Sequence, residues 1–189
     1  MSDIFESKIF EQRSEWVELF ADSRFRQRYR LVGPRLFTET VASVNADISE
    51  VCSALRGRWE WWRHGRYDGR ERHGDGTIHY DFWPTGFGIC VHEAMHEALD
   101  LGGGSLRLRI DLSGHANGIA YIDLMPAAKG TVMTGRFAGV TIAGLLPRLM
   151  GRRRFAVNHL LAERGALGFP FRRGTGWVGL IEQLEKSRA

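Results

Sequence analysis

The sequence predicts an α+β domain in which a strongly curved antiparallel sheet of about seven strands wraps one long C-terminal helix. Three observations predict it. Residues 65–140 alternate apolar and polar side chains in short runs, separated by Gly, Pro and Asn-Gly turn signals. A helical period takes over after residue 141, through Leu145, Leu149, Phe155, Leu160 and Leu161, and lasts until Gly168. The order strand, helix, short helix, six strands, long helix gives every strand one face for the helix and one for water. It also leaves space between the two layers.

Taken from the start, residues 3–30 carry Ile4, Phe5, Ile9, Phe10, Trp16, Val17 and Phe20 at helical spacing, closed off by Gly33-Pro34. Residues 1–34 therefore read as an N-terminal helical extension. From Leu36 to Val44 the period is two, as in a strand. Asp47 then offers an N-cap with Glu50 as its capping-box partner, opening a helix through Val51 and Leu55 that ends near Gly57. Trp59, Trp61 and Trp62 lie just beyond it. The strands that follow are Tyr67 to His73, Thr77 to Trp83 after a Gly74-Asp75-Gly76 turn, Phe87 to Leu99, Leu106 to Leu112, Ile119 to Met125 and Thr131 to Val140. Pro147 starts or kinks the long helix. Residues 35–168 make up the main domain, and 169–189 a C-terminal extension whose helix, Trp177 to Lys186, packs on it.

Composition narrows the function. No apolar run approaches the roughly 18 residues of a membrane span. The charged N-terminus lacks the apolar core of a secretory signal, so a cytoplasmic location is expected. Cys52 and Cys90 resemble neither a disulfide framework nor a CxxC site, and read as two buried thiols. The net charge is +4, with arginines clustered at 24, 26, 28 and 30 and at 148 and 152–154. These read as solvated helix faces, and no nucleic-acid motif accompanies them.

One motif needs a decision. His92-Glu93-Ala94-Met95-His96 on a helix would place both histidines on one zinc ion with Glu93 as general base, a zinc-dependent hydrolase. On a strand the two histidines lie roughly 13 Å apart, too far for one metal. A third ligand is not evident, since Leu99 stands where the extended motif has glycine, and regular strands flank the segment. The strand reading is preferred and no cofactor is expected. It turns Phe87, Ile89, Val91, Glu93, Met95 and Leu99 inward, and Cys90, His92, Ala94 and His96 outward. Glu93 is then a carboxylate on an otherwise apolar inner face. It suits a general base, a ligand hydrogen bond, or a structural tie to an arginine or tyrosine across the sheet.

The chain resembles the START-related SRPBCC superfamily, which includes lipid-transfer START domains and bacterial polyketide cyclase and aromatase domains. The likeness covers roughly residues 35–168. It rests on Val44-Asn45-Ala46 leading into the helix with Val51 and Leu55, on Trp59-Glu60-Trp61-Trp62, and on Ser113-Gly114 and Gly118. It continues with Ile122-Asp123-Leu124-Met125-Pro126, Gly130-Thr131 and Phe137, and ends with Phe155, Asn158 and His159 on the long helix. Asp47 departs from it, standing where the family often has proline. The resemblance implies a helix-grip fold with an internal cavity for a hydrophobic or aromatic, lipid- or polyketide-like small molecule. It fixes no reaction, because carriers, cyclases and sensors share the scaffold.

The cavity candidates are Trp62 and Phe137 as walls, Tyr80 as a hydroxyl, and Asn158 and His159 as polar groups on the long helix. If the protein is an enzyme, Glu93 or His159 would shuttle protons in a cyclisation or dehydration, while Tyr80 or Asn158 polarises a carbonyl. The expected partner is a hydrophobic small molecule, not nucleic acid, and a homodimer is left open.

Overall fold

The structure is a computed structural model and describes residues 15–62, 65–83, 89–144, 151–165 and 176–188. Among them ten strands form one antiparallel sheet: β1 (Val17–Ala21), β2 (Phe25–Val32), β3 (Arg35–Val44), β4 (Arg66–Arg72), β5 (Ile78–Trp83), β6 (Val91–Met95), β7 (Leu99–Gly102), β8 (Ser105–Gly114), β9 (Ala116–Ala127) and β10 (Gly130–Ile142). Their order is β1-β2-β3-β10-β9-β8-β6-β5-β4, with β7 on β8. Four helices accompany them: α1 (Ile48–Gly57), α2 (Trp59–Trp62), α3 (Arg152–Arg164) and α4 (Gly176–Lys186).

The expected elements from β3 to β10 are present. Alternation gives β3 its buried Leu36, Thr38, Thr40, Ala42 and Val44. The Asp47 amide donates to Glu50 Oε2 at 3.1 Å, so α1 opens on the capping box. The turn between β4 and β5 closes with the His73 amide on the Thr77 carbonyl.

Four expectations are corrected. The sheet has ten strands, not about seven. Residues 17–32 are β1 and β2 and not a helix, because Phe25, Gln27, Tyr29 and Leu31 alternate with Arg26, Arg28 and Arg30. That period of two overrides the helical spacing of Trp16, Val17 and Phe20. The segment expected as one strand from Phe87 to Leu99 is β6 followed by β7, and Leu99 is 60% exposed instead of inward. Lastly, β10 continues to Ile142, and α3 is shorter than the long helix expected from residue 141. Residues 3–14, Phe87, Pro147, Arg148 and 166–168 lie outside the described residues.

The helix that fills the main core is α4. Its Trp177, Leu180, Ile181 and Leu184 fall at i, i+3, i+4 and i+7, one stripe of a helix, and all four are buried. They join Trp59, Ile78, Met95, Leu108, Leu124 and Met133 in one apolar cluster. Trp177 lies on bare backbone: a Cβ on Gly135 of β10 would stand 2.5 Å from its Cζ2. The first turn of α3 is charged, with Arg152–Arg154. Leu160 and Ala156 of this helix close a smaller cluster with Tyr29 and Leu36.

The opposite face of the sheet is a charge lattice. Arg107 grips Asp123 through Nε at 2.6 Å and Nη2 at 2.9 Å, and Arg136 reaches Asp123 at 2.7 Å and Glu39 at 3.1 Å. Arg28 adds a 2.8 Å bond to Glu39. The arginines at 26, 28 and 30 thus belong to a sheet face and not a helix face. Both cysteines are free and buried. No helix among the described residues is long and apolar enough to cross a membrane.

Candidate functional site

The strand reading of residues 91–95 holds, and it separates the two histidines. His92 turns to Asp81 of β5, with Nδ1 and Oδ1 2.5 Å apart, while His96 turns to Asp111 of β8, Nε2 to Oδ2 2.8 Å. These acids flank β6 on opposite sides. The geometry does not bring the two imidazoles onto one ion.

Asp111 also accepts from Arg109 Nε at 2.8 Å. Burial pushes its carboxyl up, but the Arg109 and His96 hydrogen bonds and charges outweigh that, and the group sits below its ordinary value. A depressed carboxyl stabilises the fold above its unfolded pKa, and the contribution disappears as pH falls through the lower folded value. Asp111→Asn is therefore expected to flatten the acid limb of the stability curve while leaving the fold intact. Urea midpoints between pH 5 and pH 2 would show it. An acid limb as steep as that of the parent chain would contradict this assignment.

Glu93 faces inward and is 7% exposed. It stands directly opposite Tyr80 in the β5–β6 register, and the Tyr80 hydroxyl donates to its Oε2. Around the pair the same face carries Ile78, Phe82, Val91, Met95, Ile110 and Leu112, all buried. Aromatic rings back it. Trp59 sits under Tyr80 with ring centroids 4.1 Å apart, and Tyr67 meets Trp59 edge-on at 5.1 Å. A carboxylate with a phenol as a hydrogen-bond partner in an apolar wall is a fixed polar point in a dry surround. Trp62 is buried in the same cluster.

A second polar group lies under α3. Gln27 Nε2 donates to the Leu160 carbonyl at 2.7 Å and to Thr40 Oγ1 at 3.1 Å, and Thr40 donates on to Glu163 Oε2 at 2.6 Å. Glu163 Oε1 is 3.4 Å from His159 Nε2, and the His159 ring stacks on Phe137 with centroids 4.1 Å apart. Asn158 and Phe137 are half-buried. Phe137 touches both apolar clusters, so it forms the seam between them.

The sequence-predicted residues thus form two groups. Tyr80, Glu93 and Trp62 lie with α2 and the β5–β6 face. Phe137, Asn158 and His159 lie with α3, and Phe137 is on β10. From β6 to β10 there are three strand spacings, about 14 Å. Sequence reasoning misses Trp59, Gln27, Glu163 and Trp177 as members of these groups. Glu163 is detectable as the i+4 neighbour of His159, and Gln27 by the alternation of β2.

No family model matches the chain, and no curated protein matches it. Among solved structures, the lipid transfer and protein localization domain of human StarD13 (DLC2) superposes with a TM-score of 0.60 at 13% identity, covering 95% of this chain and 93% of that one. Human StAR-related lipid transfer protein 5 gives 0.62 at 9% identity, covering 96% and 93%. A STAR-related lipid transfer protein from Xanthomonas axonopodis gives 0.54 at 16% identity, covering 79% and 97%. The chain has a START/SRPBCC-type fold, with more strands than its sequence suggests.

Proposed function

We propose that this START-type fold binds a lipid or other hydrophobic small molecule between the inner sheet face and the helices, with Tyr80 and Glu93 as its polar handle. The observation that carries the reading is the buried Tyr80–Glu93 pair in an apolar wall, on a fold whose solved relatives are lipid transfer proteins by name. A carboxyl group has acceptor lone pairs on both oxygens, so Glu93 can accept from a ligand hydroxyl or amide alongside its protein partners. Phe82, Ile110 and Leu112 would line the apolar part of such a guest, and Trp62 would close its side. Cyclisation or dehydration is the finer reading. In it Glu93 or His159 would shuttle protons while Tyr80 or Asn158 polarises a carbonyl, and the contact between Tyr80 and Glu93 supports that pair over His159, which stacks on Phe137.

Native mass spectrometry of the purified chain is expected to show an apolar ligand carried through purification. An apolar fluorescent probe should bind and be displaced by lipid extract. Glu93→Gln, which keeps the shape but replaces one carboxyl oxygen with an amide nitrogen, is expected to weaken binding by about 1.5–3 kcal/mol, roughly 10- to 150-fold. A chain that carries no ligand and binds no probe has no such cavity, and the proposal fails.

A further inference from the structure

A pocket of about 390 Å³ opens on the outer side of β5 and β6, lined by Asp81, Trp83, Cys90, His92, Gly114 and His115. Register explains why these side chains meet. Asp81 and His92 are direct partners across the β5–β6 ladder. Cys90 lies two residues before His92, so an extended chain points both to the same side. Val91 pairs with Gly114 of β8, which brings His115 alongside Cys90. One potential donor atom from each of Asp81, Cys90 and His92 falls within 4.8 Å of the other two.

We propose that this pocket binds a divalent transition-metal ion, zinc by its donor set, through Cys90 Sγ, His92 and Asp81, with the fourth position open to solvent. A thiolate, imidazoles and a carboxylate are the ligand types zinc takes at about 2.0–2.3 Å in tetrahedral sites. Donors around such an ion stand about 3.3–3.8 Å apart. The side chains of His92 and Asp81 are 57% and 44% exposed, so they can turn by the ångström required without disturbing the core. Cys90 is buried, and its carbonyl accepts from the His115 amide at 3.1 Å.

His115 Nδ1 lies 3.1 Å from the Cys90 amide nitrogen and 2.9 Å from its carbonyl oxygen, so this ring braces the Cys90 backbone at the rim of the pocket. Gly114 keeps the space open: a Cβ there would come within 3.1 Å of His92 Cδ2. Binding replaces the thiol proton of Cys90, which is released to solvent, and the thiolate and the Asp81 carboxylate balance the ion's two charges. No electron is transferred. The site excludes His96, which is held by Asp111 on the far side of β6, so it is not the paired-histidine motif.

Cobalt(II) titration of the full chain, stripped of metal with a chelator, tests the proposal. A cobalt–thiolate charge-transfer band should saturate at one equivalent and be reversed by zinc. It should persist in Cys52→Ser and His96→Ala and vanish in Cys90→Ser. His92→Ala, a substitution at an exposed strand position whose folding is checked by circular dichroism, should weaken binding at least tenfold, roughly the smallest effect expected for a metal-site residue. Absence of the band, its survival in Cys90→Ser, or unchanged affinity in His92→Ala would each overturn the assignment. The outcome is independent of whether a lipid binds inside, because the pocket lies on the other face of the sheet.

Discussion

Trp177→Ala is expected to lower stability by about 3–5 kcal/mol, the range for removing a large aromatic from a packed interior. Trp177 is 2% exposed, opens the buried stripe of α4, and occupies the place where any side chain on Gly135 would stand. The ring and the missing side chain are complementary, so the two positions should be coupled. Gly135→Ala alone drives a methyl group to 2.7 Å from Trp177 Cη2 and is expected to destabilise. Placed in the Trp177→Ala background, it should cost much less, because the obstacle is gone. Urea unfolding of the two single variants and the double variant measures this directly. Strict additivity would mean that the ring does not rest on β10.

Gly130→Ala is expected to be equally severe, above about 3 kcal/mol, and for a different reason. Gly130 opens β10 at φ +99, a conformation that costs any other residue strain. A Cβ there would also collide with the Val44 carbonyl oxygen and come within 2.8 Å of the Ala46 amide nitrogen. Those atoms are backbone and cannot swing away. The adjacent Thr131 Oγ1 donates to the Ala46 carbonyl at 2.7 Å, fixing the β9–β10 turn to the joint between β3 and α1. Gly33→Ala is the matched control. Its φ is +54 and nothing lies within 4 Å of an added methyl, so only strain remains, about 1 kcal/mol. Similar losses at both positions would show that conformation, not the close approach, dominates at Gly130.

Much of this architecture is written in local patterns. Leu106, Leu108, Ile110 and Leu112 announce β8 by alternation alone, and Asp47 with Glu50 marks the start of α1. The inward direction of Glu93 also follows from alternation, and a tyrosine across the sheet is among its foreseeable partners. What local pattern cannot supply is register. Nothing in the period of β5 or β6 says that Asp81 meets His92, or that Tyr80 is the residue that meets Glu93, because pairing depends on which turns close where. The basic alternation of Arg26, Arg28 and Arg30 is visible but reads as charge, which hides the inward Gln27 and Tyr29 between them. In Trp59-Glu60-Trp61-Trp62 the choice of the innermost ring depends on α4, more than a hundred residues away. Trp59 is fully buried, and Trp62 nearly so.

The pairing of β3 with β10 has a kinetic consequence. Thr131 is bonded into register with Val44 and Thr141 with Arg35, so among the described residues the two halves of the sheet join through β10, the strand furthest along the chain. During translation β1–β3 can zip as a meander, but its open edge waits until residue 142 has left the ribosome. Contacts between such distant segments close slowly. The refolding rate should therefore respond more to loosening the β3–β10 seam than to shortening the hairpin between β4 and β5.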